Sequence, residues 1–172
     1  MVILVDHDPG WRYLFQEEAS LLREVFSCEE YEGINHIGST SVFGIKAKPV
    51  IDISVGMKSL MDVGHYADKL LDSEYKYCQD DFGKWMLFKK EGKHKFNLHI
   101  MHHDNSRYAE QLIFRDALRS DSQLLKAYER RKILLEREEI AWYAMGKLGF
   151  VDTFFGRDNG FRLSVAAGGG GW

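Results

Sequence analysis

Gly38-Ser39-Thr40-Ser41 is a run of small residues, and Asp52 follows it on the alternating segment Val50-Ile51-Asp52-Ile53-Ser54-Val55. Small residues in a tight turn let several backbone N–H groups point at one place, which makes a nest suited to phosphate. The hydroxyls of Ser39, Thr40 and Ser41 add donors, and a helical turn begun at Val42 would add a positive dipole end. A carboxylate on a rigid strand beside such a nest could hold a divalent cation against the phosphates. That layout suits phosphoryl or nucleotidyl transfer. Lys46 and Lys48, between turn and strand, would steer phosphates into the cleft or lie in a solvated linker. The same residues would also serve a plain turn that caps a helix, with a strand Asp receiving hydrogen bonds.

Asn97 and His99 share a strand face by period two. If their strand neighbours that of Asp52, then Asp52, Ser54, Asn97 and His99 meet on one sheet face. His99 would then be a general base, a metal ligand, a partner of Asp52 or a satisfied structural histidine. His102-His103-Asp104 has metal-ligand chemistry, but adjacent strand residues point to opposite faces, so a joint site needs a loop there. Arg115, Asp116 and Arg119 form a charged helix face on which an Arg-Asp pair braces the helix, or Arg115 contacts a phosphate. Lys89, Lys90, Lys93 and Lys95 surround a hairpin turn, as a solvated tip or a basic flap.

Positioning these groups needs an ordered set of elements. Val2 to Val5 reads as a short buried strand, broken by Asp8-Pro9-Gly10, and Trp11 to Cys28 as a helix capped by Asp8 or Gly10. Strands are expected over 34–37, 50–55, 85–88 and 95–101, with a turn at Glu91-Gly92, and a helix over 59–71. From Ser106 the pattern is helical, divided by a cap at Asp121, with a further helical segment near Phe150 to Phe155. The expected class is α+β: a mixed sheet carrying helices on one face, with a helical C-terminal third. One domain over 1–160 and a flexible tail over 161–172, containing Gly168 to Gly171, complete the organisation.

The chain has 172 residues, enough for one well-packed core. Its net charge of −3 at pH 7 gives no general nucleic-acid footprint. No apolar run suggests a membrane helix, and the acidic start at Asp6 and Asp8 is unlike a signal peptide. Cys28 and Cys78 have no metal-type spacing and are expected as thiols, free or buried. Together these point to the cytoplasm. The aromatic content of 13% leaves a homodimer open.

The stretch His36 to Ile53 resembles the signature of the GrpB family, within the nucleotidyltransferase fold superfamily. The resemblance extends from about Val2 to Phe155 through Asp8-Pro9-Gly10-Trp11, Asn97-Leu98-His99-Ile100, Phe114 to Arg119, and Tyr143 to Val151. It is also similar to the extra domain fused to some dephospho-CoA kinases. It implies a nucleotidyltransferase-like fold and, less directly, a nucleotide or other phosphate-bearing ligand, with Mg²⁺ or Mn²⁺ as cofactor. Gly38, Ser39, Thr40, Ser41, Lys46 and Lys48 would then bind phosphate, and Asp52 the cation. Asp52 and His99 would be catalytic, with Ser54, Asn97 and Arg115 in the pocket.

The chain departs from the superfamily pattern, which carries two strand acids one apart and a third on a neighbouring strand. Ser54 stands where the second acid should be, and Asn97 and His99 are the candidates for the third place. Two-metal transfer needs dense negative charge. One carboxylate suits a single Mg²⁺ completed by waters and phosphates, a softer ion through His99, or no ion. Phe43 replaces a proline usual in the family. The alternative reading is a non-catalytic binding or regulatory module on a degenerate nucleotidyltransferase scaffold.

Overall fold

A computed structural model describes residues 3–136 and 140–157; the Gly-rich tail expected to be flexible lies outside the described residues. The first long element, α1 (Gly10–Val25), starts where the Asp8 carboxylate accepts from the Gly10 amide at 2.7 Å. It stops earlier than Cys28 because Phe26 turns extended, and its side chain is fully buried in the core. Among the described residues five strands follow: β1 (Tyr31–Ile37), β2 (Ile51–Met57), β3 (Lys76–Asp80), β4 (Trp85–Lys90) and β5 (Phe96–His102). Between β2 and β3 lies α2 (Val63–Lys69). It begins at Val63 rather than near Ser59, since the Asp62 carboxylate caps it by accepting from the His65 amide.

The strand order is β1-β2-β5-β4-β3, with β2 and β5 parallel and every other pair antiparallel. Alternation then sorts the side chains. Ile51, Ile53 and Val55 of β2, Leu98 and Ile100 of β5, and Met86 and Phe88 of β4 join Leu22 and Phe26 of α1 and Tyr66 of α2 in the main core. Fully burying one such side chain is worth about 1.5–3 kcal/mol, so this face holds the sheet to α1 and α2. A buried ion pair adds a clasp, with Lys90 Nζ 3.2 Å from Glu18.

The opposite face is covered in part, and here the expectation of helices on one face needs correction. In α3 (Ser106–Ser120), Tyr108 and Leu112 pack against Trp85, Leu87 and Met101. A third cluster joins Val42 and Ile45 to α3, α4 (Ser122–Leu135) and α5 (Ile140–Phe154) through Leu118, Tyr128 and Phe150. Asp121 divides α3 from α4 as expected, accepting from the amides of Gln123 and Leu124.

Two further expectations differ from the structure. Among the described residues, the segment ending at Val5 makes only a single bridge, Val5 to Ala47, with Ile3 exposed, and adds no strand to the sheet. Strand β3 had no apolar alternation to reveal it, since Lys76 to Asp80 are all exposed on the sheet edge. Cys28 and Cys78 are both exposed free thiols. Among the described residues, no helix is long and apolar enough to cross a membrane.

Candidate functional site

The register decides the site. Asp52 stands opposite Ile37 on β1, which places it beside Gly38, and opposite Asn97 on β5; Ser54 stands opposite His99. The four polar groups therefore share the sheet face turned away from α1. Gly38 has φ 68° and ψ −173°, a conformation open essentially to glycine. A Cβ there would stand 2.4 Å from Asp52 Oδ2, so the turn approaches the carboxylate more closely than any other residue could.

Asp52 lies in the wall of a cleft of about 640 Å³ between the sheet, α3 and α5, together with Gly38, His99 and Arg115. Phe114, Leu118, Tyr128 and Val151 supply an apolar wall; Lys84, Arg107, Lys147 and Arg157 supply cations and Asp81, Glu110 and Asp152 carboxylates, with Arg157 paired to Glu110 and Asp152. Its side chain is 26% exposed, and Oδ1 accepts from Asn97 Nδ2 at 2.7 Å. Burial pushes the carboxyl up, but the donors of His99 and Asn97 and the charge of Lys147 outweigh it and hold the group below its ordinary value. Asp52 is thus a carboxylate at neutral pH.

The turn is less open than its composition suggests. Thr40 is buried, with Oγ1 3.0 Å from His36 Nε2 and donating to the Val50 carbonyl at 3.3 Å. Ser41 Oγ donates to the Gly38 carbonyl at 2.6 Å. Both hydroxyls are spent on shaping the turn, and Gly38 is the turn residue that lines the cleft. His36 stacks on Phe15 at 4.8 Å, and its pKa is pushed down to about 4, mainly by burial, so it is a neutral packing group. Phe43 is 78% exposed, with its ring edge on His7.

Lys46 and Lys48 are not in this cleft. The Lys46 ammonium pairs with Asp6, while its amide donates to Glu129 and its carbonyl accepts from Lys132. Lys48 lines a separate groove of about 420 Å³ with Trp11, Lys93 and Lys95. The linker between turn and strand runs toward α4, which carries both lysines away from Asp52.

Arg115 lines the cleft, but its guanidinium is held by Asp116 at 2.8 and 3.0 Å and donates to the His36 carbonyl at 3.1 Å. Arg119 likewise donates to the Ser41 carbonyl. The two arginines tie α3 to the ends of the turn.

Ser54 is fully buried and donates to Gln111 Oε1 at 2.8 Å. Where a second carboxylate would face a second cation, a helix side chain closes the space. His99 is constrained as well: the indole N–H of Trp85 donates to its Nδ1 at 3.0 Å. A neutral ring accepting at Nδ1 carries its proton on Nε2, which lies 3.7 Å from Asp52 Oδ1. In that state Nε2 donates; it neither takes a proton nor ligates a metal. The Trp85 indole thus occupies the His99 lone pair that a general base or a soft-metal ligand would use, and the Nε2–H is directed toward Asp52.

Sequence reasoning missed Trp85 and Gln111. Period two along β4 separates Trp85 and Leu87 from Met86 and Phe88, which sets Trp85 on the face of His99. Helical spacing through Tyr108, Gln111, Leu112 and Arg115 marks the side of α3 that meets the sheet.

For a cation, the donor set is one carboxylate with an amide neighbour at Asn97. It fits a single hard ion that takes its other ligands from water and phosphate, as Mg²⁺ commonly does, and not a pair of ions.

Comparison with known proteins bears on the fold and family. The model of the GrpB family, described as GrpB protein, matches residues 1–157. The glutamate-rich protein GrpB of Alkalihalophilus pseudofirmus is 34% identical over 139 residues, covering 76% of this chain and 79% of that protein. A UPF0157 protein of Halalkalibacterium halodurans is 31% identical, over 92% of this chain and 83% of its own length. The crystal structure of the conserved protein GrpB from Enterococcus faecalis superposes with a TM-score of 0.73 at 25% identity, covering 89% of this chain and 99% of that one. The Cid1 poly(U) polymerase in its MgGTP-bound structure is similar in fold, with a TM-score of 0.50 at 15% identity over 76% of this chain and 46% of that one. With the mixed sheet, the glycine turn and the strand carboxylate already in place, these matches show that the chain belongs to the GrpB family and carries a nucleotidyltransferase-type fold.

Proposed function

We propose that the protein binds a nucleotide or another phosphate-bearing small molecule in the cleft beside Gly38, with Asp52 holding one Mg²⁺ or Mn²⁺ ion against the phosphates. The observation that carries this reading is the ionised Asp52 carboxylate in the wall of a cleft that also carries Lys84 and Arg107. The volume, about 640 Å³, falls in the range of small-molecule sites. Gly38 allows ligand oxygens to approach the backbone. The Nε2–H of His99 donates to a phosphate oxygen, Phe114 and Tyr128 offer an apolar face to a base, and Arg115 keeps the α3 wall in place. A bound divalent ion would neutralise phosphate charge and could support transfer of a nucleotidyl or phosphoryl group.

A second reading has its own support. The Ser54–Gln111 bond occupies the place of a second carboxylate, which favours a non-catalytic binding or regulatory module on the same scaffold. Thermal unfolding separates the two. The protein and Asp52→Ala are heated with a panel of nucleoside triphosphates and pyrophosphate, each with and without Mg²⁺ or Mn²⁺. A ligand at a hundred times its Kd stabilises the folded state by about 2.7 kcal/mol. A midpoint rise that needs the cation and disappears in Asp52→Ala supports the cation-phosphate site, and the responding nucleotide is then assayed for turnover. A cation-independent rise kept in Asp52→Ala favours the binding module. No rise with any member of the panel counts against the cation-phosphate site for nucleotides.

A further inference from the structure

At the far end of β5 from Asn97, His102-His103-Asp104 leaves the sheet. The alternation rule would send the two imidazoles to opposite faces. Here the strand ends at His102 and the chain turns, so both rings lie on one side, stacked 4.6 Å apart at an interplanar angle of 29°. The turn is pinned on each side. The His103 amide donates to the Met57 carbonyl at 2.9 Å, and the Asn105 amide donates to the His102 carbonyl at 2.9 Å. Asn105 then caps α3 through the Arg107 amide and donates its own side chain to the Lys84 carbonyl.

His102 Nε2 lies 3.0 Å from the Lys58 carbonyl, an acceptor only, so Nε2 carries the proton and Nδ1 holds the lone pair. This is the arrangement in which metal-binding histidines are usually held, one ring nitrogen donating to a carbonyl and the other facing the ion. Nδ1 of His102 lies 3.8 Å from Asp104 Oδ2, and Nδ1 of His103 lies 3.1 Å from Asp104 Oδ1. One ligand atom from each of the three residues lies within 4.8 Å of the other two. Donors around a tetrahedral ion at about 2.0–2.1 Å stand about 3.3 Å apart, so modest closure is required. The Asp104 side chain, 76% exposed, can rotate toward the ion, and rotation of the partly exposed His103 ring brings its nitrogen toward Nδ1 of His102. Binding would replace the long contact from the Asp104 amide to His102 Nδ1, 3.2 Å.

We propose that His102, His103 and Asp104 bind one divalent transition ion of the Zn²⁺, Co²⁺ or Ni²⁺ class, through two imidazole nitrogens and one carboxylate. Two nitrogens and an oxygen select such ions over Mg²⁺ and Ca²⁺, and three protein ligands leave a position open to water or a further ligand. The site is separate from the Asp52 cleft: His102 pairs with Met57 at one end of β2, while Asn97 pairs with Asp52 at the other. It does not depend on the function proposed above.

The test is calorimetric titration with Zn²⁺ of the metal-stripped protein and of its His103→Ala, Asp104→Asn and Asp52→Ala variants. Co²⁺ absorption in the visible follows the coordination geometry. Both substitutions in the turn are at partly exposed or exposed positions, and unchanged thermal midpoints of the metal-free variants check their folding. The expected result is one ion per chain, at least tenfold weaker in His103→Ala and in Asp104→Asn, and unchanged in Asp52→Ala. Absence of saturable binding by the unmodified protein, or binding unaltered in both turn variants, overturns the proposal.

Discussion

The indole N–H of Trp85 donates to Nδ1 of His99 at 3.0 Å, with the two rings stacked 5.6 Å apart. Arg107 covers the Trp85 ring at 4.3 Å from its centroid, so the donor is held from behind. Through this bond a residue away from Asp52 decides which His99 nitrogen bears the proton. In Trp85→Phe the ring stays and the donor goes. Nitrogen NMR of the ring should show the Nε2–H tautomer in the unmodified protein and a mixture, or the Nδ1–H form, in the variant. An Nδ1–H ring in the unmodified protein would contradict the assignment.

Gly38→Ala should be costly for two reasons. The backbone conformation strains any L side chain by about 1–3 kcal/mol, and the added Cβ meets Asp52 Oδ2 at 2.4 Å. Gly44 is a matched control: its φ is 84°, but a Cβ there meets nothing within 4 Å. Urea unfolding should show the larger loss in Gly38→Ala. Equal losses would mean that the Asp52 contact adds nothing.

Ser54→Asp restores the second carboxylate of the superfamily pattern at a fully buried position on the Asp52 face. Without a cation the new charge is desolvated and repelled, and the loss should be about 2 kcal/mol or more. Millimolar Mn²⁺ should return part of it if this face can hold a divalent ion. A loss that Mn²⁺ leaves unchanged would count against the face as a cation site.

Lys132 is fully buried, donates to the Lys46 carbonyl and lies 5.4 Å from the Tyr128 ring centroid. Burial, with Lys147, pushes its pKa down to about 7, against the opposing charges of Glu129 and Asp52. An unfolded lysine titrates near 10.4. Between these values the unfolded chain holds a proton that the folded chain has released, so stability rises with pH there. The slope approaches about 1.4 kcal/mol per pH unit at most. Lys132→Met should flatten that rise and be neutral or stabilising at pH 7. A variant that keeps the slope in urea unfolding would rule out Lys132 as its source.

Much of the frame is written in local pattern. Alternation in 51–55 separates Ile51, Ile53 and Val55 from Asp52 and Ser54, and the same period pairs Asn97 with His99. Helical spacing gave α1 and α3, Asp121 marked the break before α4, and the blocks around His36 to Ile53 gave the family. These features depend on neighbours in the chain, so one sequence is enough to read them.

What only the tertiary structure decided is which groups remain available. The parallel pairing of β2 with β5 brings Asp52 level with Asn97 and Ser54 level with His99, and no local pattern dictates strand order. The linker that carries Lys46 away from the cleft is held by residues 83 and 86 positions along the chain, Glu129 and Lys132. Hydrogen-bond capacity is consumed at long range as well: Gln111 takes the Ser54 hydroxyl, and Trp85 fixes the His99 proton. A sequence names donors and acceptors. Burial and the register of distant strands determine which of them are still free to meet a ligand.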